Sequence, residues 1–188
     1  MAQENNNLLI IGAGQYGLVA LEIAQAMGSF EKIAFVDDSY PNAESFVIGS
    51  SRDIEKFAPD FHYGFVAIGN PNVRRMLLEK LRDNGIVPVT LIHPTAYVSP
   101  SAQLQQGCCV EPNATVQTGA TLGTAAFVAS GAVIRHNASV GDFCHVDCNA
   151  VVESSAVVPA ATKVECNSVF KKVQGVGLAG PSSLEGKI

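Results

Sequence analysis

The chain has 188 residues, 47% hydrophobic and 15% charged, with a formal net charge of −5 and a pI near 5.3. That apolar share is enough for a core and excludes a disordered chain. Lys and Arg are scattered, without the basic run that nucleic acid or an anionic membrane surface requires, so neither is an expected partner.

The first residues, MAQENNN, are polar, and only the short apolar run LLII follows. This is neither a secretory signal nor a membrane span, so a soluble cytoplasmic chain is expected. LLIIGAG reads as a buried strand entering a Gly-rich turn, and QYGLVALEIAQAMG as a helix closed by Gly28. KIAFVDD is a second strand, Arg52 to Phe57 a short helix, and FHYGFVAIGN a third strand. NVRRMLLEKLRDNG is an amphipathic helix closed by Gly85, and VPVTLIHP is extended. Alternating strand and helix predicts a parallel sheet with right-handed crossovers, a Rossmann-like α/β domain over residues 1–91.

GAGQYG, residues 12–17, sits between strand and helix, where backbone N–H groups attract phosphate. Asp37 and Asp38 end the second strand, and in isolation they suggest a dinucleotide with Asp37 on a ribose. Only about ninety residues precede the next region, room for one mononucleotide-binding half. A purely structural turn is the competing reading.

From residue 92 a period of six takes over. Ile92, Val98, Leu104, Val110, Val116, Leu122, Val128, Ile134, Val140, Val146, Val152, Val158, Val164 and Phe170 are thirteen aliphatics and one Phe in unbroken register. Four residues after each comes a small residue, and three after comes Gly or Asn seven times, as at Gly119, Gly131 and Asn137. Gly and Asn tolerate positive φ. A helix cannot keep a period of six on one face, so residues 92–170 are expected to form a parallel β-helix of three hexads per coil. Residues 171–188 are a tail. The five cysteines, Cys108, Cys109, Cys144, Cys148 and Cys166, include no CxxC and are read as small reduced core cysteines.

His136 and His145 fall outside the inward aliphatic and small positions, so both should project outward, on adjacent sides of the prism. Histidine suits general-base chemistry near neutral pH. Plain solvated histidines are the bland alternative. His62 and His93 read as structural.

The order of IIGAGQYG, FVDD, AIGNPNVRR, LIHPTAYVSPSA and IRHNASVGDFCHV resembles the sialic acid O-acetyltransferase and nucleotide-amino-sugar N-acetyltransferase family over nearly the whole chain. The resemblance implies a left-handed β-helix, a homotrimer with sites between chains, acetyl-CoA as co-substrate and no metal. It implies His136 as general base with Asn137 beside it, and His145 near the thioester, with Ser154 and Cys166 also along acetyl-CoA. It places Gly14, Gln15, Tyr16, Asp37, Asp38 and Gly69 around a UDP-linked amino sugar. Members often carry Glu or Asp where this chain has Asn137, and Gly where it has Ser154. Their cofactor-gripping C-terminal loop has a degenerate counterpart in GVGLAG. Acetylation of a sialic acid hydroxyl, and a β-helix binding protein that has lost acetyl-CoA, are the alternatives. A histidine-bound zinc enzyme lacks a third histidine in the repeat.

Overall fold

The computed structural model describes residues 5–39 and 46–172, so the GVGLAG segment lies outside the described residues. Two halves follow one another. The first contains strand β1 (Leu8–Ile11), helix α1 (Gln15–Met27), β2 (Ile33–Val36), β3 (Val47–Gly49), a 3₁₀ turn (Ser51–Lys56), β4 (Tyr63–Val66), helix α2 (Pro71–Asp83) and β5 (Val87–Pro88). The strands form one parallel sheet in the order β3-β2-β1-β4-β5. β1 is central and fully buried, as its four aliphatic residues require. Helix α1 stops at Gly28, whose φ of 64° is the left-handed conformation that ends a helix. Helix α2 starts where the Asn70 side chain accepts hydrogen bonds from the Asn72 and Val73 N–H groups, with Pro71 in the first turn. The expected helix at Arg52 to Phe57 is the 3₁₀ turn, and β3 is an additional edge strand.

The second half is the left-handed parallel β-helix. Fourteen two-residue strands stack on three faces. The first face carries Leu91–Ile92, Cys109–Val110, Phe127–Val128, His145–Val146 and Lys163–Val164. The second carries Tyr97–Val98, Thr115–Val116, Val133–Ile134, Val151–Val152 and Val169–Phe170. The third carries Gln103–Leu104, Thr121–Leu122, Ser139–Val140 and Val157–Val158. Pairing joins residues 18 apart, as Phe127 with Cys109 and His145. The second residue of each strand points inward, and with Ala114, Ala120, Ala132 and Ala150 these aliphatics form the prism core. From Gly107 to Asn167 every hexad turns its corner through a residue with φ between 51° and 75°. That includes Ala125, Phe143, Ser155 and Ala161, where the sequence offers neither Gly nor Asn.

The α/β half covers the first face. Outward-facing Leu91, Cys109 and Phe127 are fully buried with Leu8, Ile10 and Phe65. Burying one such ring stabilises by about 2 kcal/mol. Ala125 and Phe143, at corners, hold their left-handed backbone while packing on Leu77, Leu78 and Leu81 of α2. Between the halves lies Arg74, fully buried. Its guanidinium donates to the carbonyls of Ile68 (2.7 Å), Gly69 (2.9 Å), Ala125 (3.1 Å), Phe143 (2.6 Å) and Cys144 (3.4 Å). Its carbon lies 4.1 Å from the Phe127 ring centroid. Burial lowers the guanidinium pKa to about 10, which leaves it charged at neutral pH.

Candidate active site

His136 stands on the corner between the second and third faces, two residues after the inward Ile134. It is exposed. Its backbone N–H donates to Gln117 Oε1 on the coil below (3.0 Å), and its Nε2 lies 2.8 Å from Ser154 Oγ on the coil above. Among the described residues this is the only hydrogen bond to the imidazole ring. Asn137, with φ 56°, forms the corner itself. Its N–H donates to the Thr118 carbonyl (2.9 Å), and its side-chain oxygen occupies the space a Cβ on Gly119 would need. The carboxamide therefore stacks along the corner. Gln117 went unnoticed in the sequence, although the 18-residue register places it directly below Arg135.

His145 occupies the first face, half-buried at the junction. Its ring centroid is 6.1 Å from that of Tyr16 and 6.0 Å from that of Phe127. Burial lowers its pKa, against a smaller opposing pull from the Asp147 and Glu111 carboxylates. Tyr16 stacks on Phe127 at 4.8 Å, and its buried hydroxyl has no hydrogen-bond partner among the described residues. Glu111, another buried group sequence reading passed over, accepts from the Ser130 N–H and hydroxyl (3.0 and 2.9 Å). Nine residues are half of an 18-residue coil, so His136, on the corner between the second and third faces, and His145, on the first face, stand on opposite sides of the prism rather than the expected adjacent sides, and do not meet within one chain. Cys166 is exposed on a third position, the first-to-second corner, stacked above Cys148, which is exposed too, so only Cys108, Cys109 and Cys144 of the five are the expected core cysteines.

At the Gly-rich turn the glycines divide into two kinds. Gly12 holds φ 102°, a conformation L side chains rarely adopt, and a Cβ on Gly17 would collide with the Gly12 carbonyl, so the backbone demands both. Gly14 and Gly69 have nothing within 4 Å of such a Cβ and are exposed, as is Gln15 at the start of α1. Space there is open to a ligand. Asp37 Oδ2 accepts from the Ala13 N–H (2.8 Å), and Ser39 donates to Oδ1 through its N–H (2.9 Å) and hydroxyl (2.5 Å). Partial burial pushes the Asp37 pKa up, yet these hydrogen bonds outweigh it and the net shift is downward. Asp38 accepts from the Ser51 and Ser50 hydroxyls (2.6 and 3.0 Å), and these bonds lower its pKa. Asp37 is thus tied to the turn and Asp38 to the start of the 3₁₀ segment. No group of three His, Cys, Asp or Glu among the described residues is placed to hold a metal, and no described helix is long and apolar enough to cross a membrane.

A β-helix of hexapeptide coils with a parallel α/β sheet docked on one face, and an exposed histidine on a coil corner, defines a hexapeptide-repeat class of proteins. The PglD N-terminal domain family matches residues 7–81. The UDP-N-acetylbacillosamine N-acetyltransferase of Bacillus subtilis is 32% identical over 107 residues, 54% of this chain and 49% of that protein. The GDP-perosamine N-acetyltransferase of Escherichia coli O157:H7 is 29% identical over 108 residues. The alignments span about half the length of these curated relatives. Among solved structures, the acetyltransferase domain of PglB from Neisseria gonorrhoeae superposes with a TM-score of 0.79 at 30% identity, covering 89% of this chain and 92% of that one. PerB from Caulobacter crescentus, in complex with CoA and GDP-perosamine, gives a TM-score of 0.71 at 28% identity, over 88% and 89%. The chain belongs to the sialic acid O-acetyltransferase and nucleotide-amino-sugar N-acetyltransferase family.

Proposed function

We propose that this protein is an acetyl-CoA-dependent acetyltransferase acting on the amine of a nucleotide-linked amino sugar, of the UDP-4-amino-4,6-dideoxy-hexosamine type, in surface glycan synthesis. The observation that carries the reading is the likeness, along nearly the whole chain, to a solved acetyltransferase domain and to a relative holding CoA and an amino-sugar nucleotide. His136 is the general base. It takes a proton as the sugar amine attacks the thioester carbonyl, and the tetrahedral intermediate then expels CoA. Asn137 stands where relatives often carry an acid, and His145 lies near the thioester. Ser154 and Cys166 flank the CoA arm along two exposed corners. The Rossmann-like half holds the sugar nucleotide at the open backbone of Gly14, Gln15 and Gly69, with Tyr16, Asp37 and Asp38 around it.

A homotrimer follows from the same reading. His136 and His145 lie half a coil apart, so a site using both draws them from two chains. Among the described residues nothing covers the second and third faces, which carry exposed Tyr97, Val157 and Val169. Sedimentation at micromolar concentration should give three chains per particle, and a monomer would sink the shared site. The test of function is CoA release from acetyl-CoA with UDP- and GDP-linked amino sugars and with sialic acids. Turnover on an amino sugar, lost in His136→Ala, is the expected result. Turnover on sialic acid alone would move the acceptor from amine to hydroxyl.

A further inference from the structure

We propose that Ser154 is a catalytic residue that relays the acceptor's proton to His136, an inference resting on the acetyltransferase reading above. The geometry is specific. Ser154 Oγ lies 2.8 Å from His136 Nε2, the separation of a hydroxyl and the base that serves it. The two residues sit 18 apart on successive coils of one corner, and hydrogen bonds tie the backbone there to the neighbouring coils. The Ser155 N–H donates to the His136 carbonyl (3.1 Å), and the His136 N–H to Gln117 Oε1 (3.0 Å). Asn137 offers no charge to the ring, and its carboxamide is committed to the Gly119 corner. An acceptor approaching Nε2 therefore meets the Ser154 hydroxyl first.

The step balances. The sugar nitrogen bonds to the thioester carbonyl carbon, and the carbon–sulfur bond breaks on collapse of the tetrahedral intermediate. The nitrogen's proton passes to Ser154 Oγ while the hydroxyl's own proton passes to His136 Nε2. The imidazolium then returns a proton to the departing CoA thiolate. Ser154 and His136 end as they began.

Ser154→Ala, Ser154→Gly and Ser154→Thr test the relay, with wild type and amino-sugar nucleotide acceptors. Ala and Gly are expected to lower kcat about 10²-fold, with KM for acetyl-CoA changed less than about threefold, while Thr restores most of the rate. Rates in mixtures of light and heavy water should curve with isotope content in wild type, where two protons move together. The residual rate of Ser154→Ala should respond linearly. A Gly or Ala variant at wild-type kcat overturns the relay, and so does a stable acetyl group on Ser154 by intact mass, which marks a nucleophile instead. Wild type inert with every acceptor removes the acetyltransferase reading and the relay together. An active wild type beside an equally active Ser154→Ala removes the relay alone.

Discussion

His136 and His145 share a residue type and differ in surroundings. His136 is exposed and bonded to a hydroxyl, so replacing it disturbs little packing. His136→Ala is expected to keep the wild-type melting temperature and lose about 10²- to 10⁴-fold in kcat, read by CoA release. His145 is half-buried, and desolvation lowers its pKa below the usual value. In the unfolded chain it titrates near 6.5. As pH falls through that value, the unfolded state takes up the proton before the folded state does. The stability held above pH 6.5 is therefore lost progressively as pH falls towards the depressed folded value. Melting curves from pH 7.5 down to 5 should show a larger acid loss for wild type than for His145→Gln; parallel losses would contradict it. Both histidines were legible as outward residues, since the hexad count alone separates inside from outside. Their distinct settings were not, because Tyr16, Glu111 and Ser154 reach them across tens of residues of sequence.

At the level of elements, corners matter more than strands. Each strand is two residues long, and the chain changes direction through a left-handed residue. At Gly131 that conformation is unstrained, and an added Cβ would strike Asn149 Oδ1. Gly131→Ala is expected to lose about 1–2 kcal/mol. Exposed Ala161, at φ 58°, holds the same conformation with a side chain. Ala161→Gly should gain about 0.5–1 kcal/mol, the relieved strain exceeding the added chain entropy. Urea midpoints for the pair should move in opposite directions. Gly107, Asn113, Gly119 and Asn149 announced these corners in the sequence. Ala125, Phe143, Ser155 and Ala161 did not, because there the coil above and below dictates the backbone against local preference. Strand β3 escaped notice for a related reason. Three residues at a sheet edge carry too short a pattern to separate from a loop, although Val47 and Gly49 are buried and Ile48 is exposed.

For the whole molecule, the junction between halves depends on Arg74. Five carbonyl oxygens from both halves share its guanidinium, and removing it leaves those of Ala125 and Phe143 buried without that donor. Arg74→Met is expected to lose at least about 3 kcal/mol, with Arg74→Lys intermediate, by chemical denaturation. Nothing in RRMLLEKL distinguished Arg74 from its exposed neighbour Arg75. Only the approach of Ala125 and Phe143 makes one a strap between the halves. The docked face itself left a trace. Its outward column reads Leu91, Cys109, Phe127, whereas the third face reads Gln103, Thr121, Ser139.

The 18-residue pairing also gives the β-helix a reading frame. Inserting or deleting one residue throws every later aliphatic out of the core. A change of six keeps the core and passes each later outward residue to the neighbouring corner, so excising one hexad before His136 carries that imidazole to the corner now held by Ser130. A change of eighteen leaves every column as it was. Length variation in this segment is thus quantised, and its smallest permitted step leaves the prism folded while taking the chemistry apart.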